Sequence, residues 1–234
     1  MANAPQIAVR ELRASYGPSQ ALYGMTFEVD KGELVTLLGR NGAGKTTTMR
    51  SIMGLIPRSG SIKIAGTEVT QMPPEKIARL GIAYCPEERG IFSSLSVEEN
   101  LLLPPILHPG GLATEEIYEL FPRLKERRSS QGTKLSGGEQ QMLAIARILR
   151  TGAKCLLLDE PTEGLAPVIV DHIGDIIAQL KKRGYTILMI EQSFDFALQL
   201  SDRLYVVENG KIVAGAIAEH ARRDASEILA LLSV

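Results

Sequence analysis

Leu34-Val35-Thr36-Leu37-Leu38-Gly39-Arg40-Asn41-Gly42-Ala43-Gly44-Lys45-Thr46 is the stretch on which the reading of this chain turns. Its first five residues are nearly all apolar, as expected of a strand covered on both faces. Gly39 to Thr46 then fit G-x-x-x-x-G-K-[ST], and a helical stretch follows to Met53, so the motif has the strand before it and the helix after it that it requires. Glycines in such a loop let backbone N–H groups converge on a β-phosphate at a helix N-terminus. Lys45 adds a point charge for the β/γ oxygens, and the Thr46 hydroxyl suits a Mg²⁺ ligand. With Thr47, the segment supplies the expected phosphate-binding set: Gly39, Asn41, Gly42, Ala43, Gly44, Lys45, Thr46 and Thr47. The competing reading, a plain Gly-rich turn, does not require the flanking strand and helix.

Cys155-Leu156-Leu157-Leu158-Asp159-Glu160 is a second decisive stretch. A buried apolar strand that ends in two carboxylates implies a cation or a reacting water at its mouth, because unpaired buried charge is costly. Asp159 suits the Mg²⁺ shell, and Glu160 suits a general base for an attacking water. Taken alone, the pair could equally be a solvated strand end. Beside a phosphate loop it reads as catalytic.

Outward from these, short β-rich runs appear at Ile7 to Leu12, Thr26 to Val29, Ser61 to Ile64, Ile82 to Tyr84, Thr186 to Ile190 and Leu204 to Val207. Ser96-Val97-Glu98-Glu99 is a capping box that opens a helical insert running to Arg150, broken at Pro104-Pro105 and at Pro109-Gly110-Gly111. Ile169, Ile173, Ile176, Ile177 and Leu180 recur at helical spacing. Apolar strands alternating with amphipathic helices predict a largely parallel sheet with helices on both faces. At 234 residues the chain reads as a single domain, 1–234, with a helical part at roughly 88–150.

A formal net charge of −1 gives no field that would point to nucleic acid or anionic lipid. Cys85 and Cys155 sit in apolar runs with no metal or redox spacing, and read as small buried hydrophobes. Met1 to Pro5 has no leader pattern, and no apolar run approaches a membrane span. The expectation is a cytoplasmic protein that reaches a membrane only through a partner.

Leu135-Ser136-Gly137-Gly138-Glu139-Gln140 is another helix start, with Ser136 as N-cap, Glu139 completing the box and two glycines leaving the amides open to an anion. By itself it would be a plain capped helix. The phosphate loop, this LSGGEQ segment and the LLLDE strand, in this order and spacing, resemble the ATP-binding-cassette (ABC) ATPase family throughout the chain. The resemblance implies a RecA-like P-loop NTPase core of α/β class with an antiparallel β portion and a helical subdomain. It also implies ATP and Mg²⁺, with two cassettes stacked head to tail. On that pattern Ser136, Gly137 and Gly138 touch the γ-phosphate bound to the opposite subunit, and Tyr16 stacks on adenine, although unaided that tyrosine reads as a core residue.

Two positions depart from the common pattern of the family. Glu87, in Pro86-Glu87-Glu88-Arg89, stands where a glutamine usually contacts Mg²⁺ and the transporter, and Gln192 stands where a histidine usually senses the γ-phosphate. Gln192 can donate an amide hydrogen bond but cannot become a cation. Both departures resemble the branched-chain amino acid importer branch, as do Tyr118 to Leu124, Glu139 to Ile145 and Gly164 to Pro167. Glu160 to Gly164 and Asp195 to Ala197 are similar to the urea and short-chain amide importer ATPase, and a lipopolysaccharide-extracting motor is a further alternative. The resemblance implies a second cassette as partner, either a related non-identical chain or a second copy. It further implies membrane permease subunits, an indirect link to a periplasmic solute-binding protein, no nucleic acid, and a place on the cytoplasmic face of the membrane.

Overall fold

In the computed structural model, which describes residues 4–223 and 225–233, the chain runs through strands β1 (Ile7–Tyr16), β2 (Ser19–Val29) and β3 (Leu34–Leu38) into helix α1 (Lys45–Ile52). It continues through β4 (Arg58–Ile64), β5 (Thr67–Glu68), α2 (Pro74–Ala78) and β6 (Ile82–Cys85). Next come α3 (Val97–Leu102), α4 (Thr114–Leu120), α5 (Pro122–Glu126) and α6 (Gly137–Arg150), followed by β7 (Cys155–Asp159) and α7 (Pro167–Lys182). The last part holds β8 (Thr186–Glu191), α8 (Phe194–Leu200), β9 (Arg203–Glu208), β10 (Lys211–Ile217), α9 (Ala218–Arg223) and α10 (Ala225–Ser233).

Two sheets result. The strands near the N-terminus form an antiparallel sheet in the order β2-β1-β4-β5. The other six form a sheet in the order β10-β9-β3-β8-β7-β6, parallel except for the edge strand β10. β3, with both flanks paired and all five residues buried, is the doubly covered strand that its composition demands. β7 alternates between the two faces, which separates the core. Cys155 and Leu157 join Ile7, Val9, Met25, Phe27 and Met49 on the side of the antiparallel sheet and α1. Leu156 and Leu158 join Leu143, Ile145, Ile173, Ile177 and Leu101 on the side of α3, α6 and α7. Both cysteines are buried and unpaired, and burial pushes both thiols up to about 12, so neither is a thiolate at neutral pH.

The expected strands are all present, most of them one to several residues longer than their apolar runs. Ser96 caps α3 as the sequence predicts: its hydroxyl accepts from Glu99 N at 3.1 Å while Ser96 N donates to Glu99 Oε2 at 2.8 Å. Helix is absent between α3 and α4, where Pro104-Pro105 and Pro109-Gly110-Gly111 lie. β10 was not anticipated, yet it had a signal. Asn209 and Gly210, at φ 48° and 72°, make the tight turn that joins it to β9, and Asn-Gly is the commonest sequence for such a hairpin. α9 and α10 were likewise unanticipated. No helix among the described residues is long and apolar enough to cross a membrane.

Asn100, fully buried on α3, holds the segment leading into this helical region. Its Oδ1 accepts from Phe92 N at 2.9 Å, and its Nδ2 donates to the carbonyls of Phe92, Ser96 and Leu95 at 2.9, 3.0 and 3.2 Å. Asn100→Leu keeps the volume but takes the acceptor from Phe92 N, at about 1–3 kcal/mol for a group left unpaired, while the three carbonyls keep their backbone donors. The expected loss is about 1–3 kcal/mol in urea denaturation; a loss within error of zero would mean that water or neighbouring groups replace the amide.

Candidate active site

At the end of β3 the chain must turn sharply to start α1. Gly39 passes so close to β9 that a Cβ there would lie 2.4 Å from the Val207 carbonyl oxygen. Gly42 and Gly44 sit at φ 81° and 105°, which side chains resist. Gly44 is the N-cap of α1 and no side chain caps the helix, so its first amides remain available to an anion. A cavity of about 620 Å³ opens over the loop. Asn41, Gly42, Gly44, Lys45, Thr46 and Thr47 form one wall, and Glu87 and Glu160 join them from the ends of β6 and β7.

Lys45 is only 3% exposed, and its Nζ donates to the carbonyls of Gly39 and Arg40 at 2.7 and 3.1 Å and pairs with Glu160 Oε1 at 3.1 Å. Glu160, 6% exposed, follows β7 at φ 46°, a conformation uncommon for a residue with a side chain. Its other oxygen, Oε2, accepts from Gln192 Nε2 at 2.6 Å, and the same amide nitrogen reaches Glu163 Oε2 at 3.3 Å. Burial pushes the Glu160 carboxyl up, but bonds with Glu163 and Gln192 and the Lys45 charge outweigh it and hold the group below its ordinary range. Glu163 moves the other way, up to about 7, because of its hydrogen bond to Glu160, its partial burial and the charges of Glu160 and Glu87.

Asp159 lies beside this group. Its Oδ1 accepts from the Thr46 hydroxyl at 3.0 Å and its Oδ2 from the Tyr84 hydroxyl at 2.7 Å. Burial, aided by the charges of Glu160 and Glu87, pushes Asp159 up against the opposing pull of those two bonds. Thr46 and Asp159 offer hard oxygen donors to a divalent cation. Among the described residues no cluster of three or more His, Cys, Asp or Glu could hold a metal. That donor set suits Mg²⁺, which takes one or two protein oxygens and completes its shell with water and phosphate oxygens.

The remaining residues singled out from the sequence fall in different places. Gly39 contributes its carbonyl to Lys45, and Ala43 faces a neighbouring hollow with Arg40 and Val207. Tyr16 is half exposed at the end of β1, outside the residues that line the cavity, while Tyr23 of β2 lines it. Tyr16 pairs with Ser19 across the β1–β2 hairpin, and Ser19, Gln20, Ala21 and Tyr23 of the facing strand line the cavity. Ser136, Gly137 and Gly138 lie outside the cavity wall. Ser136 is occupied in its capping box, and Arg89 and Ile169 crowd the two glycines.

Sequence reasoning missed Tyr84, Glu163 and the wall formed by Ser19, Gln20, Ala21, Tyr23, Asn209 and Gly210. For Asn209-Gly210 the turn dipeptide was a usable signal. Tyr84 meets Asp159 only because β6 and β7 are paired parallel neighbours, a pairing no local pattern announces.

Tyr84→Phe removes one of the two side-chain donors to a buried carboxylate. A hydrogen bond to a charged group is worth about 1.5–3 kcal/mol, so chemical denaturation at pH 7 should show a loss of that size. Unchanged stability would show that Asp159 keeps its full complement of partners without the phenol.

Residues 22–163 match the family described as ABC transporter. The chain is 48% identical over 208 residues to the high-affinity branched-chain amino acid transport ATP-binding protein BraG of Pseudomonas aeruginosa, covering 85% of this chain and 87% of that protein. It is 35% identical over 225 residues to the lipopolysaccharide export system ATP-binding protein LptB of Haemophilus influenzae, covering 93% of each. Among solved structures, a nucleotide-free ATP-binding cassette from an ABC transporter superposes with a TM-score of 0.83 at 26% identity over 96% of both chains. With the phosphate loop, the two carboxylates and the LSGGEQ helix in place, the chain belongs to the ABC transporter family as an ATP-binding cassette whose ATPase activity is coupled to transport.

Proposed function

We propose that this cassette drives the uptake of branched-chain or similarly small amino acids from the cytoplasmic face of the membrane. The solute class rests on the 48% identity to a branched-chain amino acid transport ATP-binding protein, against 35% for the lipopolysaccharide exporter's subunit. The chemistry rests on the convergence of Lys45, Thr46, Asp159 and Glu160 at one cavity.

ATP is the substrate. The open amides of α1 and the loop bind its phosphates, and Lys45, already desolvated, exchanges its contacts with Gly39, Arg40 and Glu160 for phosphate oxygens. Thr46 and Asp159, with Glu87 facing the same space, would hold Mg²⁺, which supplies neutralising charge at the β/γ oxygens. Once Lys45 is engaged by phosphate, Glu160 is free to orient water and take its proton, while Gln192 keeps hold of the other carboxylate oxygen. Catalysis here is mainly positioning and charge stabilisation.

Ser136, Gly137 and Gly138 do not line their own chain's cavity, which supports a role in completing the site of a second cassette, whether a related non-identical chain or a second copy. The helical subdomain at 88–150, linked to the cavity through Glu87, would carry closure to membrane permease subunits, and through them to a solute-binding protein.

Glu160→Gln preserves shape and removes the proton acceptor. Hydrolysis should fall by about 10²–10⁴-fold while nucleotide binding persists, read by phosphate release and fluorescent-nucleotide titration. A near-parental rate would remove Glu160 from the role of base. The specific ATPase rate should also rise with protein concentration, and Ser136→Arg should abolish that rise without weakening nucleotide binding to the monomer. A constant specific rate in a species monomeric by light scattering would rule out a shared site.

A further inference from the structure

β8 is buried along its whole length, and its last residue is a carboxylate. Glu191 is 4% exposed, and among the described residues no ion pair involves it. A carboxylate taken out of water without a cation is costly, and for stability alone an apolar side chain would serve at least as well. Both oxygens of Glu191 are nonetheless committed, one to each of two segments that adjoin the base. Oε1 accepts from the Thr162 hydroxyl at 2.7 Å, and Oε2 accepts from Gln192 N at 3.2 Å. Neither Glu191 nor Thr162 lines the cavity.

Those two partners flank Glu160. Thr162 belongs to the turn that starts at Glu160, in which Glu163 N donates to Glu160 O at 3.2 Å and Leu165 N to Thr162 O at 3.3 Å. Gln192 is the residue whose amide donates to Glu160 Oε2 at 2.6 Å. A closed circuit results, running from Glu160 along the turn to Thr162, across to Glu191, on to Gln192 and back to Glu160 through the amide. Glu160 N also donates to Ile190 O at 3.1 Å, so β8 holds the turn at its root. Glu160 stands at φ 46°, and a side-chain-bearing residue keeps such a backbone only where its surroundings over-determine it.

We propose that Glu191, through Thr162, is a positioning residue for the hydrolytic centre, holding the turn after β7 and the Gln192 backbone so that the Glu160 carboxylate is aimed at the attacking water. This rests on Glu160 being the base. Glu191 and Thr162 touch no reacting atom and act through Glu160 and Gln192. Loss of the Thr162–Glu191 bond frees the turn and leaves the phosphate loop as it is, so the rate falls while nucleotide affinity stays. Misplacing a reacting group by about 1 Å can cost about 10²-fold in rate.

The test measures kcat and KM for ATP, with fluorescent-nucleotide affinity as the check on folding. It uses the full-length parent, Thr162→Val, Thr162→Ser, Glu191→Gln, Gln192→Ala, Glu160→Gln and the double variant Thr162→Val with Gln192→Ala. Thr162→Val keeps the side-chain shape, loses the hydroxyl and should lower kcat about tenfold, with KM and nucleotide affinity unchanged. Thr162→Ser restores the hydroxyl and should restore kcat. Glu191→Gln turns one of the two acceptors into a donor and should match Thr162→Val, so it reports on the same circuit if the valine variant does not fold. Since Thr162 and Gln192 belong to one circuit, the double variant should be no slower than the slower of the two single variants. Losses that multiply, or a rise in KM in place of the fall in kcat, overturn the positioning role. So does parental kcat in Thr162→Val with Glu160→Gln inactive. Parental activity in Glu160→Gln overturns the base and the positioning role with it.

Discussion

The buried ammonium of Lys45 constrains everything around it. At 3% exposure it cannot be solvated, and an unpaired charge there would cost several kcal/mol. Two loop carbonyls and one carboxylate oxygen satisfy it, and each comes from an element whose position is thereby set. The carbonyls bend the loop after β3, and the carboxylate holds the residue after β7 in a left-handed conformation. Gln192, just after β8, secures the second oxygen. Three parallel strand ends are thus drawn to one point at the carboxyl edge of the sheet, where open α/β sheets bind ligands.

Outside that point the fold is stiffened at the opposite end of β3. Arg203, at the start of β9, makes a two-pronged contact with Glu33 just before β3, at 2.9 and 2.6 Å, and Asp202 accepts from Leu34 N at 2.9 Å. Planar, charge-assisted pairing of this kind fixes register as well as adding energy. The phosphate loop is therefore carried by a strand, β3, that is clamped to β9 at its far end.

The segment after β6 links the cavity to the signature helix. Glu87 faces the cavity, Glu88 pairs with Arg50 of α1 at 2.7 Å, and Arg89 Nε donates to the buried Gln141 of α6 at 3.1 Å. The Glu88 pair is solvent-exposed and contributes little to stability. The Arg89–Gln141 bond is more sheltered and touches the helix that begins at Gly137, so movement at the cavity wall has a short mechanical route to that helix.

Local pattern was sufficient wherever the chemistry is contiguous. The apolar run into Gly39–Thr46, the paired carboxylates ending β7 and the capping boxes at Ser96 and Ser136 each carry their own geometry, because strand period, loop glycines and cap spacing act over a few residues. Contacts between strands distant in sequence were decided only by tertiary structure. The order β3-β8-β7 brings Gln192 to Glu160, the neighbouring β6 brings Tyr84 to Asp159, and the β1–β2 hairpin brings Tyr23 to the cavity. Pairing in a parallel sheet depends on how helices cover both faces, so no residue in either strand encodes its neighbour. The residues of the site were largely legible in the sequence, but which side chain holds which was settled by the sheet.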